Sequence, residues 1–163
     1  MPKTPIIRPI SWLNASITIG VLCSFVILGT AAGGTSGALL GTFVYLILAQ
    51  ISRRLSTKHH RRAIRYCKRQ EFEKAIPEFE NSLQFFTDHQ WVDRYRALTI
   101  FSAAEMSYRE MGLVSLGFCY AQVGDGESSR RFYEQCLREY PENGIAMSAV
   151  RLLDAGSADR SSA

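Results

Sequence analysis

The side chains with the greatest chemical reactivity are four cysteines and three histidines, and their spacing suits neither catalysis nor metal binding. The cysteines are Cys23, Cys67, Cys119 and Cys136, and no two of them form a C-x-x-C pair. His59 and His60 are adjacent, whereas two ligands on one helix face stand three or four positions apart. The sequence therefore predicts no metal site and no cofactor, and four thiols that stay reduced.

The acidic residues nearest to the histidines also lack the companions that a catalytic site requires. No glycine-rich phosphate loop or nucleophile motif accompanies them. We interpret these carboxylates as a solvent-exposed helix face, and they are Glu71, Glu73, Glu78 and Glu80. The sequence thus predicts a protein that is not an enzyme, and its function must be sought in binding.

The charged residues that would surround any site are unevenly distributed along the chain. The chain has 163 residues, a formal charge of +4 and 47% hydrophobic residues, yet the 44 residues from Pro9 to Ser52 carry no charge at all. One continuous helix of that length would extend roughly 66 Å, about twice the hydrocarbon thickness of a bilayer. This pattern excludes an ordinary soluble domain, a disordered chain and a disulfide-rich secreted module.

A glycine-rich cluster divides the uncharged stretch into two membrane-length pieces. Gly33, Gly34 and Gly37 lie at its centre, between residues 12–32 and 38–51. We predict a two-helix transmembrane hairpin within residues 1–52. Lys3 and Arg8 precede it and more cations follow it, so the positive-inside rule places both termini of a multi-pass membrane protein in the cytoplasm.

Two other readings of this stretch stay open. Residues 17–28 resemble the apolar core of a signal peptide and residues 29–31 a small-residue cleavage site, in which case residues 38–51 would act as a stop-transfer span. The glycines spaced by four, which are Gly29, Gly33, Gly37 and Gly41, serve either packing within the hairpin or self-association. Homo-oligomerisation is therefore open as well.

A basic segment follows the apolar stretch and predicts contact with a lipid surface. Residues 53–69 contain eight basic residues and no acid, whereas residues 70–163 contain nine basic and fifteen acidic residues. We read residues 53–70 as a basic juxtamembrane helix that faces anionic lipid. The residues assigned to the membrane surface are Arg53, Arg54, Lys58, Arg61 and Arg62. No aromatic or glycine interleaving indicates nucleic acid.

The rest of the chain is helical by pattern, because apolar residues recur at spacings of three and four without strand-like alternation. One segment carries a specific motif at Leu116, Gly117, Tyr120, Gly124, Ser129, Tyr133, Leu137, Pro141 and Asn143. This motif resembles the tetratricopeptide repeat (TPR), in which two antiparallel helices form a unit of about 34 residues. A weaker copy includes Ala63, Tyr66, Phe72, Ala75, Phe79, Ser82 and Leu83.

The resemblance implies an all-α fold, with the hairpin followed by a small TPR-like α-solenoid at residues 58–155. Two repeats would flank an insertion from Gln84 to about Ser107, residues 144–154 would form a capping helix, and residues 156–163 would be a disordered tail. We expect the insertion to pack on the repeats, with its aromatics either filling the core or forming a partner-binding rim. Those aromatics are Phe85, Phe86, Trp91, Tyr95 and Phe101.

The whole pattern resembles bacterial membrane-anchored TPR proteins, which implies the bacterial inner membrane as the location. By the same resemblance, the first helix of each repeat should form a concave binding face. Its members would be Ile64, Lys68, Met111, Val114, Phe118 and Gln122, together with His60, Cys67 and Ala121. This mostly apolar face has His60, Ile64 and Ser115 where carboxylate-clamp modules carry Lys and Asn, so we expect it to bind an apolar helix or segment of a protein partner, with Lys68 as one charge anchor. The alternatives are a groove filled by the chain itself, or an integral subunit or assembly factor that binds through Gly20, Gly29 and Gly41.

Overall fold

A computed structural model describes residues 11–102 and 104–161, and every regular element in these ranges is a helix. Lys3 and Arg8 lie outside the described residues. The helices are α1 (Trp12–Ser56), α2 (Lys58–Lys68), α3 (Phe72–Asp88), α4 (Gln90–Arg94), α5 (Arg96–Thr99), α6 (Tyr108–Gln122), α7 (Gly126–Glu139) and α8 (Gly144–Ser161). The all-α prediction is therefore confirmed.

The chain divides into two compact units. The first contains the chain up to Lys58 together with His89–Ser107, and the second contains His59–Asp88 together with the chain from Tyr108. Residues 89–107 thus fall in the first unit, although the sequence assigned them to a TPR-like domain at residues 58–155.

Helix α1 is long and apolar enough to cross a membrane, and among the described helices it alone meets that criterion. Most of its large apolar side chains, among them Leu28, Leu39 and Phe43, are exposed. Burying such side chains in an apolar medium is favourable by about 1.5–3 kcal/mol each. The coarse prediction of an apolar segment of membrane-spanning length near the N-terminus is confirmed.

Two glycines interrupt α1 near its middle. Gly33 and Gly34 have non-helical backbone angles, and Gly34 has φ 58° and ψ −140°. A positive φ costs glycine little because it has no Cβ. Residues on the two sides of the interruption contact each other: a Cβ on Gly37 would collide with the carbonyl of Gly29, and a Cβ on Gly41 with the carbonyl of Phe25. Three of the four-spaced glycines, Gly29, Gly37 and Gly41, therefore serve contacts within the chain, whereas Gly33 lies at the interruption.

Residues 89–107 pack on α1 within the first unit, so the prediction that this part of the insertion packs on the repeats is wrong, whereas residues 84–88 belong to α3. The Thr18 Oγ1 donates to the carbonyl of Ala97 at 3.4 Å, and the ring of Tyr45 meets the ring of Phe101 at 5.2 Å. Val92, Ala97 and Ile100 are buried. The physical reason is that burying these three apolar side chains against the apolar surface of α1 is favourable.

The aromatics assigned to the core separate into two groups. Phe86 is fully buried, and its ring stacks on Tyr108 at 5.0 Å. Trp91 and Tyr95 are exposed, so the core-filling reading is wrong for these two residues.

The second unit consists of two helix pairs and a terminal helix. Helix α3 packs on α6, α6 on α7, and α7 on α8, while α2 contacts α3 through His60 and Phe79, whose ring centroids are 5.5 Å apart. One core runs through these helices, and its buried members are Ala63, Ala75, Phe79, Leu113, Leu116, Cys119, Phe132, Tyr133, Cys136 and Ala146. Each helix therefore contributes one apolar face to a shared core.

Two boundaries differ from the sequence predictions. The basic segment at residues 53–70 is two helices, because Thr57 departs from helical geometry, and both its hydroxyl and its amide bond the carbonyl of Arg53. Helix α8 continues through Gly156 to Ser161, so the prediction of a disordered tail is wrong as far as Ser161. A single glycine among Ala, Ser and Asp costs a helix only about 1 kcal/mol. Residues 162–163 lie outside the described residues.

Candidate functional site

The candidate site lies on α2 and α6, the helices that the sequence assigned to a concave face. The Sγ atoms of Cys67 and Cys119 are 3.4 Å apart, and the rings of His60 and Tyr108 are 5.4 Å apart. His60 and Tyr108 lie near the starts of α2 and α6, and Cys67 and Cys119 lie near their ends. The two helices therefore run side by side in the same direction.

The structure brings most of the predicted face residues to the surface of these helices. Ile64, Met111, Val114 and Phe118 are half-buried, and Lys68, Ala121 and Gln122 are exposed. Ile64, Val114 and Phe118 also pack against the core. The face is thus a shallow apolar stripe, with a cation at its α2 edge and an amide at the C-terminal end of α6.

The chain itself covers part of this stripe. The ring of Phe72, at the start of α3, meets the ring of Phe118 edge-on at 5.8 Å. His60 is buried between Phe79 and Tyr108, so it does not line a surface face as the sequence suggested. The accessible face is accordingly smaller than the one that the sequence predicted.

The two thiols behind the stripe are electronically unlike. The hydrogen bond that the Cys119 thiol donates to Cys67 stabilises a Cys67 thiolate and lowers the pKa of Cys67. The same bond together with burial raises the pKa of Cys119. Cys67 is therefore the more reactive thiol of the pair.

The exposed side of α2 is strongly basic. Its exposed cations within the second unit are Arg61, Arg62, Arg65 and Lys68, and the exposed Arg69 follows directly after the helix. Arg62 is partly engaged, since its guanidinium donates to Glu78 at 3.0 Å, which raises the pKa of Arg62. An acidic group on a ligand of the apolar stripe would therefore meet favourable charge at this edge.

The membrane-surface residues of the first unit are also only partly available. Arg54 and Lys58 are exposed. The guanidinium of Arg53 donates to the carbonyls of Ile100 and Phe101, at 3.0 Å in the first case. Arg53 therefore fastens the end of α5 to α1 in addition to supplying charge.

The residues assigned to repeat architecture lie where packing requires them. Ala75, Phe79, Leu116, Gly117, Ser129 and Tyr133 are buried. A Cβ on Gly117 would approach the Tyr133 ring to 2.9 Å, so Tyr133 fills the gap between α6 and α7 of one pair and not a gap between pairs. Tyr120 stacks on Phe132 at 5.4 Å. Gly124 has φ +86° in the turn before α7, and Pro141 is exposed after that helix.

Sequence reasoning missed several charged contacts. Glu78 accepts from Arg62 and lies 2.7 Å from the Nδ1 of His59, and the hydroxyl of Tyr120 donates to Glu80 at 3.0 Å. The reading of the four glutamates as one solvent-exposed face is therefore wrong for Glu78, which is half-buried, whereas Glu80 is exposed although it accepts this bond. The residue types alone gave no signal, because the pairing depends on how α2 and α6 are rotated against α3.

A second missed contact joins three helices of the second unit. The guanidinium of Arg109 donates to both carboxylate oxygens of Glu139, at 2.6 and 2.7 Å, and also to the hydroxyl of Thr87. Arg109 thereby lowers the pKa of Glu139. Such two-point pairs fix orientation as well as contributing energy.

Within the described residues, no group of three or more His, Cys, Asp or Glu side chains is arranged to hold a metal ion. The chain matches no family model, no curated protein and no solved structure. The function of this protein is therefore inferred from the geometry of the chain itself.

Proposed function

We propose that this protein is a membrane-tethered, TPR-like adaptor that holds an apolar helix or segment of a partner protein at the cytoplasmic face of the membrane. The observation that carries the proposal is the combination, in one chain, of an exposed apolar helix of 45 residues with a stack of paired helices that presents an apolar stripe. The first is costly in water, and the second is a surface suited to helix recognition.

The contacts of α1 support a two-helix membrane hairpin. The close approaches of Gly29 to Gly37 and of Phe25 to Gly41 are the contacts expected of two arms of α1 that fold back at Gly34. Asn14 and Ser52, near the two ends of α1, also bond nearby parts of the insertion, at the carbonyls of Ala104 and Thr99. Both ends of the apolar segment then lie on one side of the bilayer, as the positive-inside rule requires.

The packing of the second unit supports a TPR-like solenoid. Helices α2 and α3 form one pair, α6 and α7 form the next, and α8 covers the last pair. The small residues of the motif sit where helices approach closely, as Gly117 does against Tyr133. A solenoid of two repeats needs such a terminal cap, because each repeat leaves one apolar face open.

The face on α2 and α6 is the proposed binding site. Lys68 and Gln122 stand exposed beside the half-buried Ile64, Met111 and Phe118. A partner segment would place apolar side chains on the stripe and an acidic group near Lys68. Tethering at the membrane raises the effective concentration of the partner, so a modest contact area suffices.

Site-specific photocrosslinking in the full-length chain tests the proposal. A benzoylphenylalanine replaces Lys68 or Gln122, and a matched control replaces Arg138, an exposed residue of α7. We expect Lys68 and Gln122 to crosslink the same protein in intact membranes and Arg138 to crosslink none. Crosslinking at all three positions, or at Arg138 alone, would contradict a site on α2 and α6.

The other candidate function is an integral subunit that binds through the hairpin. Gly29 and Gly41 already contact α1 itself, which removes two of the three glycines on which that reading depends, whereas Gly20 remains open. A crosslinker at Gly20 distinguishes the two functions. A protein partner captured there but not at Lys68 or Gln122 would support the subunit.

A further inference from the structure

The insertion has two sides with different environments. One side, with Val92, Ala97 and Ile100, is buried against α1. On the other side Trp91, Tyr95 and Leu98 are 59%, 54% and 49% exposed.

The three exposed residues form one continuous face. The amide of Tyr95 donates to the carbonyl of Trp91, and the amide of Leu98 donates to the carbonyl of Tyr95. Their spacings of four and three place them on one side of a nearly continuous helix, although α4 and α5 are separated at Tyr95. We call these three residues the aromatic face.

The hydrogen bonds of the insertion fix its level along α1. The side chain of Asn14 donates to the carbonyl of Ala104, and that of Thr18 donates to the carbonyl of Ala97. Asn14 and Thr18 are four residues apart on α1, which is roughly 6 Å along the helix. The insertion therefore contacts about one helical turn near the start of α1. Ile100 is bonded by Arg53, the first charged residue after the uncharged stretch. The insertion thus lies where apolar sequence gives way to charge.

That level corresponds to the interfacial layer of a bilayer. If α1 spans the membrane, the boundary between hydrocarbon and headgroups falls near Asn14 and Arg53, and each interfacial layer is about 5–8 Å thick. Trp and Tyr concentrate in this layer because their rings are apolar and their N–H or O–H groups are polar. Trp12, exposed at the start of α1, and Trp91 are the two tryptophans of the chain, and both are placed near this level.

We propose that the insertion is an interfacial membrane element, whose aromatic face lies in the boundary between headgroups and acyl chains. This inference depends on the proposed membrane hairpin. The exposed Arg94, on the same element, supplies the charge that favours anionic headgroups over a purely zwitterionic surface. The insertion then serves as a third, non-spanning membrane contact, beside the two arms of α1.

Depth-dependent fluorescence quenching tests the proposal on the full-length chain. The chain is reconstituted into vesicles of phosphatidylcholine and phosphatidylglycerol, with Trp12→Phe leaving Trp91 as the single tryptophan, and Trp91→Phe leaving Trp12. We expect a headgroup spin label to quench Trp91 more strongly than a label deep in the acyl chain, and aqueous iodide to quench it weakly.

The Trp12 chain separates failure of this inference from failure of the membrane hairpin. If lipid labels quench Trp12 but not Trp91, the membrane insertion of α1 stands and the interfacial position of the insertion is overturned. If they quench neither, the membrane hairpin falls as well. Shielding of Trp91 from iodide and from lipid labels alike would indicate a protein on the aromatic face and would also overturn the proposal.

A pair of substitutions gives a second readout. Tyr95→Asp with Leu98→Asp should increase quenching of Trp91 by acrylamide, a neutral aqueous quencher that added carboxylates do not repel, by several fold, because two charges on the aromatic face disfavour the interface. Val123→Asp, at an exposed apolar residue of the second unit, is the matched control and should leave the quenching unchanged. Equal quenching in both variants would contradict a lipid-facing insertion.

Discussion

Ser129 is a buried residue whose hydroxyl makes no hydrogen bond with the described residues. It is fully buried between α6 and α7, and its Oγ has no hydrogen-bond partner among the described residues. Because an unpaired buried hydroxyl costs about 1–3 kcal/mol, we expect Ser129→Ala to raise the free energy of unfolding by about 1 kcal/mol. Chemical denaturation of the full chain in detergent measures this change. Ser148→Ala, at an exposed position of α8, should have no effect. A loss of stability in Ser129→Ala would show that the hydroxyl is bonded.

Cys67 and Cys119 are close enough to form a disulfide with a small movement. Their sulfurs are 3.4 Å apart, and a disulfide needs about 2.05 Å. A diazenedicarboxamide oxidant takes two electrons and two protons from the two thiols and becomes the hydrazine. We expect mass spectrometry of digested protein to find the Cys67–Cys119 disulfide within single chains. Cys67→Ser should abolish it and Cys136→Ser should not. Links between chains instead would contradict this side-by-side arrangement of α2 and α6.

At the scale of elements, Glu78 is the ionic contact between α2 and α3. Burial alone would raise the pKa of this carboxyl, but hydrogen bonds with His59 and Arg62 outweigh burial, and the pKa is lowered from 4.5. A lowered pKa in the folded state contributes stability above the unfolded pKa, and this contribution is lost as the pH falls through the folded value. The Glu78 contribution should therefore be fully present at neutral pH and disappear in acid.

Glu78→Gln tests this contribution. We expect the variant to lose about 1 kcal/mol at neutral pH and to lose less further stability than the wild type as the pH falls below 4.5. Glu73→Gln, an exposed residue on the same helix, is the matched control. Parallel stability profiles for wild type and Glu78→Gln across the acid range would contradict the assignment. Equilibrium unfolding at a series of pH values supplies the measurement.

The positions of the helices were easier to predict from the sequence than the surfaces on which they pack. Helix positions followed from the spacing of residues such as Leu113 and Leu116, since each helix buries one apolar stripe. The partner of the insertion could not be predicted, because Val92, Ala97 and Ile100 would suit any apolar surface. The contacts that fix its place are largely bonds to backbone carbonyls, as from Arg53 to Ile100, and carbonyls carry no side-chain identity.

The same limit applies to the candidate site. The repeat motif in the sequence assigned Ile64, on α2, and Val114 and Phe118, on α6, to one predicted binding face. All three are half-buried in the structure. They gave no indication that Phe72 packs on Phe118 or that His60 is enclosed by Phe79 and Tyr108. Those contacts depend on the rotation of one helix against the next, which the whole core determines.

At the scale of the whole molecule, the chain passes between its two units three times. It leaves the first unit after Lys58, returns at His89 and leaves again after Ser107. The second unit is therefore attached by three chain connections and not by one flexible linker. Ala75 and Ser129, which occupy corresponding places in the two motif copies of the sequence, are 54 positions apart, too many for one repeat of about 34 residues, and the return to the first unit accommodates the extra residues.

The proposed hairpin makes a topological prediction that can be tested in living cells. The interruption at Gly34 should lie on the side of the membrane opposite to both termini. Thr35→Cys, in a chain whose Cys23 is replaced by Ser, should react with a membrane-impermeant maleimide added outside intact cells. The remaining thiols are buried or half-buried in the second unit. Ser148→Cys, exposed on α8, should react only after the cells are permeabilised.

A single span through all of α1 would put residue 148 on the side opposite to the N-terminus, so a fluorescent protein fused to each terminus in turn distinguishes the two topologies. We expect both fusions to fluoresce in the cytoplasm, and a hairpin is contradicted if only one does.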